Sequence, residues 1–170
     1  MKRITIIQSS LREKSNTSIV CREFEKRALA KWLEINYIDL RDLEMEFCTG
    51  KPLDEYTQDL QDTYTSMEDS QAVVFGMPVY QYSMSWVLKN FIDICGGAIK
   101  WKQVGTIVNA GWPNCYMASS DLFNALFYEY GCVGIMPTPY TWSMDFKDGS
   151  ISNEKVLSKL DELADKIISL

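Results

Sequence analysis

Apolar residues are distributed along the chain in short β-branched runs that alternate with longer stretches of helical period. RITIIQ, residues 3–8, has the composition of a strand. A polar stretch follows. From residue 17 to about 33, Val20, Phe24 and Ala28 recur every fourth position, and Cys21 and Leu29 widen the stripe, which is the spacing of one helix face. EINYIDL (34–40) predicts a second strand and residues 41–52 a connection. Residues 54–70 predict a helix with Tyr56, Leu60, Tyr64 and Met67 on one face. AVVFG (72–76) is a continuous apolar run, as in a strand buried on both faces. A helix over residues 84–95, a strand at VGTIVNA (104–110) and a helix at 119–130 come next. CVGIMPT (132–138) predicts a fifth strand, interrupted by Gly134 and ended by Pro137. Residues 139–150 read as irregular, and 153–169 close the chain as a helix with Val156, Leu160, Leu163 and Ile167 inside.

Alternating strands and helices predict an α/β fold, a doubly wound parallel sheet with helices on both faces. Right-handed crossovers leave few arrangements for five strands, and the order 2-1-3-4-5 is expected, with any ligand at the switch between strands 1 and 3. With no linker or repeat, residues 1–170 are expected to form one domain. In that order the loops after strands 1, 3 and 4 open onto a single crevice.

Composition narrows the chemistry. The chain has 17 Lys plus Arg against 23 Asp plus Glu, a net charge of −6. This argues against nucleic acid as the main partner, because phosphate backbones need a basic stripe. No apolar run reaches membrane-spanning length. MKRITII lacks the apolar stretch and cleavage site of a secretion signal, so the expected location is cytoplasmic. Five cysteines without CxxC spacing suggest reduced thiols, several of them buried. The chain contains no histidine, which removes Ser-His-Asp and Cys-His catalysis. If the protein is an enzyme, a cofactor carries the hard chemistry.

The crevice loops hold the unusual residues. SSLREKSNTS offers Ser9, Ser10, Ser15, Asn16, Thr17 and Ser18, with Arg12 among them, at the start of the first helix. Unpartnered N–H groups and the helix dipole favour a phosphate there; a simple N-cap at Ser15 or Asn16 is the plainer alternative. The patterns GxxxxGK[ST] and GxGxxG are absent. The second loop presents Pro78, Val79, Tyr80, Gln81, Tyr82 and Ser83, where Ser83 is a candidate cap for the next helix. On that helix Lys89, Asn90 and Asp93 form a polar strip that a solvated face would explain. The third loop adds Ala110, Gly111 and Trp112. Phosphate donors at one end and aromatic-edged loops at the other suit a flat heterocycle on a phosphorylated tail, the shape of flavin mononucleotide (FMN). Cys21 and Arg27 have the Cys-x5-Arg spacing of a phosphatase, but within the predicted first helix, where a thiolate-stabilising loop cannot form.

These residues resemble the NADPH-dependent FMN reductases of the flavodoxin-like superfamily. That family shows a Gly-Ser-x-Arg-x-x-Ser-x-Asn phosphate loop, to which SSLREKSNTS is similar. It also shows a Pro-x-Tyr-x-x-Ser loop running into Leu-Lys-Asn and an Asp, matched by Pro78, Tyr80, Ser83, Leu88, Lys89, Asn90 and Asp93. Gln8 and Ser9 stand where relatives often have Gly-Ser, and the third loop has one glycine where relatives often have more.

The resemblance implies a flavodoxin-like fold. It implies FMN held by its phosphate on Ser9, Arg12, Ser15, Asn16, Thr17 and Ser18, with the ring resting on residues 78–83 and the third loop closing the far side. It further implies NADPH or NADH as co-substrate, a small electron acceptor such as a quinone or free flavin, and a homodimer or homotetramer. No catalytic side chain and no metal are expected. The alternatives are a flavodoxin-like electron carrier that does not oxidise pyridine nucleotides, and a flavin-free interaction module using Trp86, Trp101, Trp112 and Trp142.

Overall fold

The computed structural model describes residues 2–169. The sheet has the expected order. Strands β1 (Arg3–Gln8), β2 (Glu34–Asp39), β3 (Ala72–Pro78), β4 (Gln103–Ala110) and β5 (Val133–Ile135) run β2-β1-β3-β4-β5, and every pairing is parallel. Every residue of β3 is buried, as its uninterrupted apolar run requires of a central strand covered on both faces. Helices α1 (Asn16–Ala30) and α5 (Glu154–Ser169) cover one face, burying Val20, Phe24, Leu160 and Leu163 with Ile4, Ile6 and Val74. Helices α2 (Gln58–Glu68), α3 (Trp86–Cys95) and α4 (Ala118–Tyr130) cover the other, packing Leu60, Leu88, Phe91 and Leu122 against Ile7, Phe75 and Val108.

Two glycines and a capping turn fix how the helices meet the sheet. Gly76 in β3 lies under α1, where an added Cβ would come 2.0 Å from Cys21 Sγ. Only a hydrogen at this position lets the first helix lie so close to the strand. Helix α1 ends at Ala30, three residues earlier than its apolar period predicts. The N–H of Leu33 donates to the Ala28 carbonyl at 3.2 Å and that of Trp32 to Leu29 at 3.0 Å, a Schellman closure. Trp32 occupies its left-handed position at φ 65°, where glycine is usual. Gly131, at φ 64°, ends α4 in the expected place.

The largest departure is the fifth strand. It holds β4 only over Val133–Ile135, because Pro137 has no N–H to continue the ladder. The chain then returns to the same edge as β6 (Tyr140–Trp142), paired with Val108, Asn109 and Ala110. A hairpin, β7 (Phe146–Lys147) and β8 (Ser150–Ile151), turns through Asp148 and Gly149, both at positive φ. The stretch 139–150, expected to be irregular, is thus largely ordered and carries the outer wall of the strand-tip crevice. Helices α2 and α3 start at Gln58 and Trp86, four and two residues later than predicted. Ser85, not Ser83, caps α3: its hydroxyl accepts from Leu88 N–H at 3.4 Å. Among the described residues no helix is long and apolar enough to cross a membrane, and no cluster of acidic, Cys or His side chains could hold a metal ion.

Candidate functional site

The loops after β1, β3 and β4 meet at one cavity of about 140 Å³, lined by Ser10, Arg12, Ser15, Asn16 and Thr17, by Pro78, Val79 and Tyr80, by Asn109, Ala110 and Gly111, and by Ser143. This is the switch point of the sheet, where α/β folds open a crevice. A larger groove of about 760 Å³ lies on the outer flank of α1 and shares Ser15 and Asn16 with it. The smaller cavity is the candidate site because it gathers all three strand tips.

Where the cavity meets α1, the helix start is half capped. Ser15 is the N-cap, its hydroxyl accepting from Ser18 N–H at 3.1 Å, and Ile19 N–H bonds to the Ser15 carbonyl. The N–H groups of Asn16 and Thr17 have no protein acceptor among the described residues. They remain available to an anion, with the dipole of a 15-residue helix behind them. The Arg12 side chain has no ion-pair partner among the described residues. Ser9 turns away: its N–H and hydroxyl both donate to the Gly76 carbonyl, at 3.0 and 2.8 Å, and it is fully buried. That pair ties the first loop to β3, and Ser9 does not line the cavity. Ser18 faces the outer groove rather than the cavity.

The second loop is a tight reversal. Tyr80 and Ser83 exchange two backbone bonds, Tyr80 N to Ser83 O at 3.0 Å and Ser83 N to Tyr80 O at 2.9 Å. Gln81 and Tyr82 between them lie at φ 50° and 61°. Two consecutive left-handed residues define a type I′ turn, which asparagine and glycine usually fill. Tyr80 lines the cavity, whereas Gln81 and Tyr82 are exposed and Ser83 half-buried on the lip beside it. Trp112, 75% exposed, stands on the opposite rim; its carbonyl accepts from the Tyr140 hydroxyl, which in turn accepts from Cys115 N–H at 3.2 Å. Strand β6 therefore braces the third loop, and Asn109 Nδ2 donates to Thr141 Oγ1 at 2.9 Å from the same side.

On α3, Asn90 is more than part of a solvated strip. Its amide donates to the Glu46 carbonyl and its oxygen accepts from Cys48 N–H, both at 2.8 Å. It pins the 46–48 segment, where Phe47 packs on Trp86 with ring centroids 5.8 Å apart. Lys89 and Asp93 form an exposed i,i+4 ion pair.

A family model described as NADPH-dependent FMN reductase matches residues 2–147. The chain belongs to this family. A curated relative, an NAD(P)H-dependent FAD/FMN reductase of Geobacillus thermodenitrificans, is 29% identical over 94 residues, which cover 55% of this chain and 51% of the relative. The match thus spans about half of that protein's length. Among solved structures, an NADH:FMN oxidoreductase in its apo form aligns with TM-score 0.82 at 20% identity, covering 100% of this chain and 90% of its own. A flavoenzyme NAD(P)H:(acceptor) oxidoreductase from Paracoccus denitrificans aligns with TM-score 0.81 at 22% identity over 99% and 98%. At these identities the structural likeness establishes the flavodoxin-like fold.

Within the family fold, the donor set at the first loop suits a phosphate group. Asn16 and Thr17, whose N–H groups have no protein acceptor among the described residues, line the cavity with Ser10 and Arg12, and no carboxylate lines it. Of the residues expected from the sequence, the cavity brings together Arg12, Ser15, Asn16, Thr17, Pro78, Val79, Tyr80, Ala110 and Gly111. Sequence reasoning missed Asn109 and Ser143. Asn109 stood inside VGTIVNA, which reads as strand, and Ser143 lay in the stretch that reads as irregular. It also missed Asp39 and Arg41, where the signal was present: DLRD follows the second strand directly, and strand 2 neighbours strand 1 in the expected order.

Proposed function

We propose that this chain is an FMN-dependent NAD(P)H oxidoreductase that passes a hydride from a nicotinamide cofactor to a small acceptor such as a quinone or free flavin. The observation that carries this reading is the strand-tip cavity with its unpartnered helix N–H groups and Arg12, in a chain of the FMN reductase family. Asn16, Thr17, Ser10 and Arg12 would hold the phosphate of FMN. At about 140 Å³ the cavity is smaller than the ~300 Å³ at which sites for drug-sized ligands begin. It takes the phosphate and the chain beside it. The planar ring would rest outside, on the shelf of residues 79–83 and against residues 110–112. Bound there, FMN supplies the two-electron chemistry, so no protein acid or base is needed, in keeping with the absence of histidine. The side chains position the cofactor and limit water access.

Phe47, Tyr82, Trp86 and Trp112 are all exposed on segments around this shelf. They suit a second copy of the chain packing across the ring, and sedimentation at micromolar concentration should give a dimer or larger. The decisive experiment is titration of the purified protein with FMN, followed by NADPH and NADH oxidation with a quinone and with free flavin. Saturable flavin uptake with turnover supports the reading. A protein that takes up no FMN removes it, and uptake without pyridine-nucleotide oxidation leaves an electron carrier.

A further inference from the structure

The five N–H donors of the Arg41 guanidinium are all engaged within the protein. Nε donates to Asp39 Oδ1 at 2.9 Å, and one terminal nitrogen donates to Asp39 Oδ2 and to Ser18 Oγ at 3.5 Å. The other donates to the backbone carbonyls of Arg12 and Glu13, at 3.1 and 3.2 Å. Asp39 is buried at the end of β2 and also accepts from Gln8 Nε2 at 3.0 Å and from Arg41 N–H at 3.0 Å. Gln8, fully buried, closes the network: its amide nitrogen donates to the Ser10 carbonyl at 3.1 Å, and its oxygen accepts from Ser10 N–H. The ends of β1 and β2 are thus joined to the loop that carries Arg12 and Ser15.

This network has a directional consequence. A trans peptide points its C=O and its N–H to opposite sides. By drawing the Arg12 and Glu13 carbonyls towards itself, Arg41 turns the N–H groups of Glu13 and Lys14 away from itself; Glu13 and Lys14 line the outer groove with Arg41, whereas Arg12 and Ser15 on either side of them line the cavity. A saturated guanidinium has no donor left for a ligand, whereas its planar fork can hold two carbonyls and a carboxylate at once. We infer that Arg41, seated on Asp39 and Gln8, is the positioning residue for the phosphate end of the site: by holding the Arg12 and Glu13 carbonyls it sets the course of the loop that brings Arg12 and Ser15 to the cavity, without touching the anion. This inference rests on the FMN reading and deepens it.

Lysine cannot replace Arg41, because three donors at one point cannot span Asp39 and two carbonyls. The test compares wild type with Arg41→Lys and Arg41→Ala, each titrated with FMN and with riboflavin, which has the same ring and no phosphate. Both variants should lose about tenfold or more in FMN affinity, the scale of a displaced positioning shell, while riboflavin affinity stays within about twofold. In the flavin-free protein, amides of residues 12–16 should exchange faster in the variants and those of β3 and α5 unchanged. Unaltered FMN affinity, equal loss for both flavins, or unaltered amide exchange would each overturn the inference. A wild type that takes up no FMN would instead remove the functional reading, and the exchange comparison would then still decide whether Arg41 holds the loop.

Discussion

Replacing Gly76 with alanine probes the contact that sets the N-terminus of α1 at the strand tips. The new Cβ would lie 2.0 Å from Cys21 Sγ and 3.6 Å from Thr17 Cγ2. Cys21 is completely buried, so the sulfur can only turn into another staggered well inside a packed core, or the helix must lift from the sheet. Overpacking of this kind costs about 1–3 kcal/mol. Alanine recovers about 0.5–1 kcal/mol of the conformational disadvantage of a glycine in a strand. A net loss of about 1–2 kcal/mol follows, which lowers the melting temperature by a few degrees in a domain of this size.

The same geometry predicts a rescue. Cys21→Ala alone removes buried sulfur and should cost on the order of 1 kcal/mol. In the double variant the added methyl occupies the space the sulfur has left. The two losses should therefore fall short of additivity by about 1–2 kcal/mol, within the range for touching residues. Urea unfolding of the four proteins followed by circular dichroism measures the coupling. FMN titration of the same set tracks the displacement of Asn16 and Thr17: affinity should fall in the Gly76 variant and return in the double. Losses that add to within about 0.5 kcal/mol would refute the argument that Gly76 and Cys21 hold this helix down.

Ser15→Ala should destabilise by about 1 kcal/mol through the lost cap, measured by the same unfolding assay; an unchanged midpoint would count against the capping geometry. Converting the Gln81-Tyr82 turn to Asn-Gly places residues suited to φ above zero in a type I′ reversal and should raise stability by about 1 kcal/mol, since both side chains are exposed; a loss of that size would argue against turn strain. Burial works against the Asp39 carboxylate, but the side-chain and backbone bonds from Arg41 and the bond from Gln8 outweigh it and hold its pKa below the ordinary value. Its stabilisation is therefore complete above about pH 4, near the unfolded pKa, and is lost as pH falls through the lower folded pKa. Asp39→Asn should flatten that acid limb of a stability-versus-pH curve. Burial pushes Cys132 up to about 11 and Cys95 up to about 12; because these thiols ionise readily only when unfolded, stability should decline above about pH 8.5. A thiol reagent at neutral pH should accordingly modify the half-buried Cys48 well before Cys21, Cys95 or Cys132, read as one fast equivalent by mass spectrometry.

The parts of this protein legible in its sequence are those governed by local period and turn chemistry. Val20, Phe24 and Ala28 announce the buried face of α1, and AVVFG announces a strand covered on both sides. Alternation of such elements constrains the sheet order, and the order places three loops together. Helix ends were less legible, because they depend on a single backbone conformation. Trp32 ends α1 from a left-handed position that nothing in an apolar stripe foretells. Strand β5 was legible in CVGIMPT, though shorter than read, but β6 was illegible for another reason. A three-residue strand just after proline has too little period to read, yet β4 offers it a ready edge, and tertiary pairing orders it.

The first loop divides along the same line. Its donors could be named from SSLREKSNTS, because a cluster of hydroxyls before a helix has a local physical meaning. Which of them face the ligand could not, because that is decided by partners far along the chain. Ser9 is turned inward by the Gly76 carbonyl, 67 residues away, and the Arg12 and Glu13 carbonyls are turned outward by Arg41. A short loop with several donors has many conformations of similar energy, and selecting one requires fixed groups on neighbouring strands. The type I′ turn at Gln81 and Tyr82 follows the same logic: two unfavourable backbone angles persist because the Tyr80–Ser83 bonds and the capped start of α3 hold both ends. In this fold the geometry of the candidate site belongs less to the loops than to the strand ends behind them, and substitutions at Gly76, Asp39 and Arg41 should alter the site more than many changes on its lip.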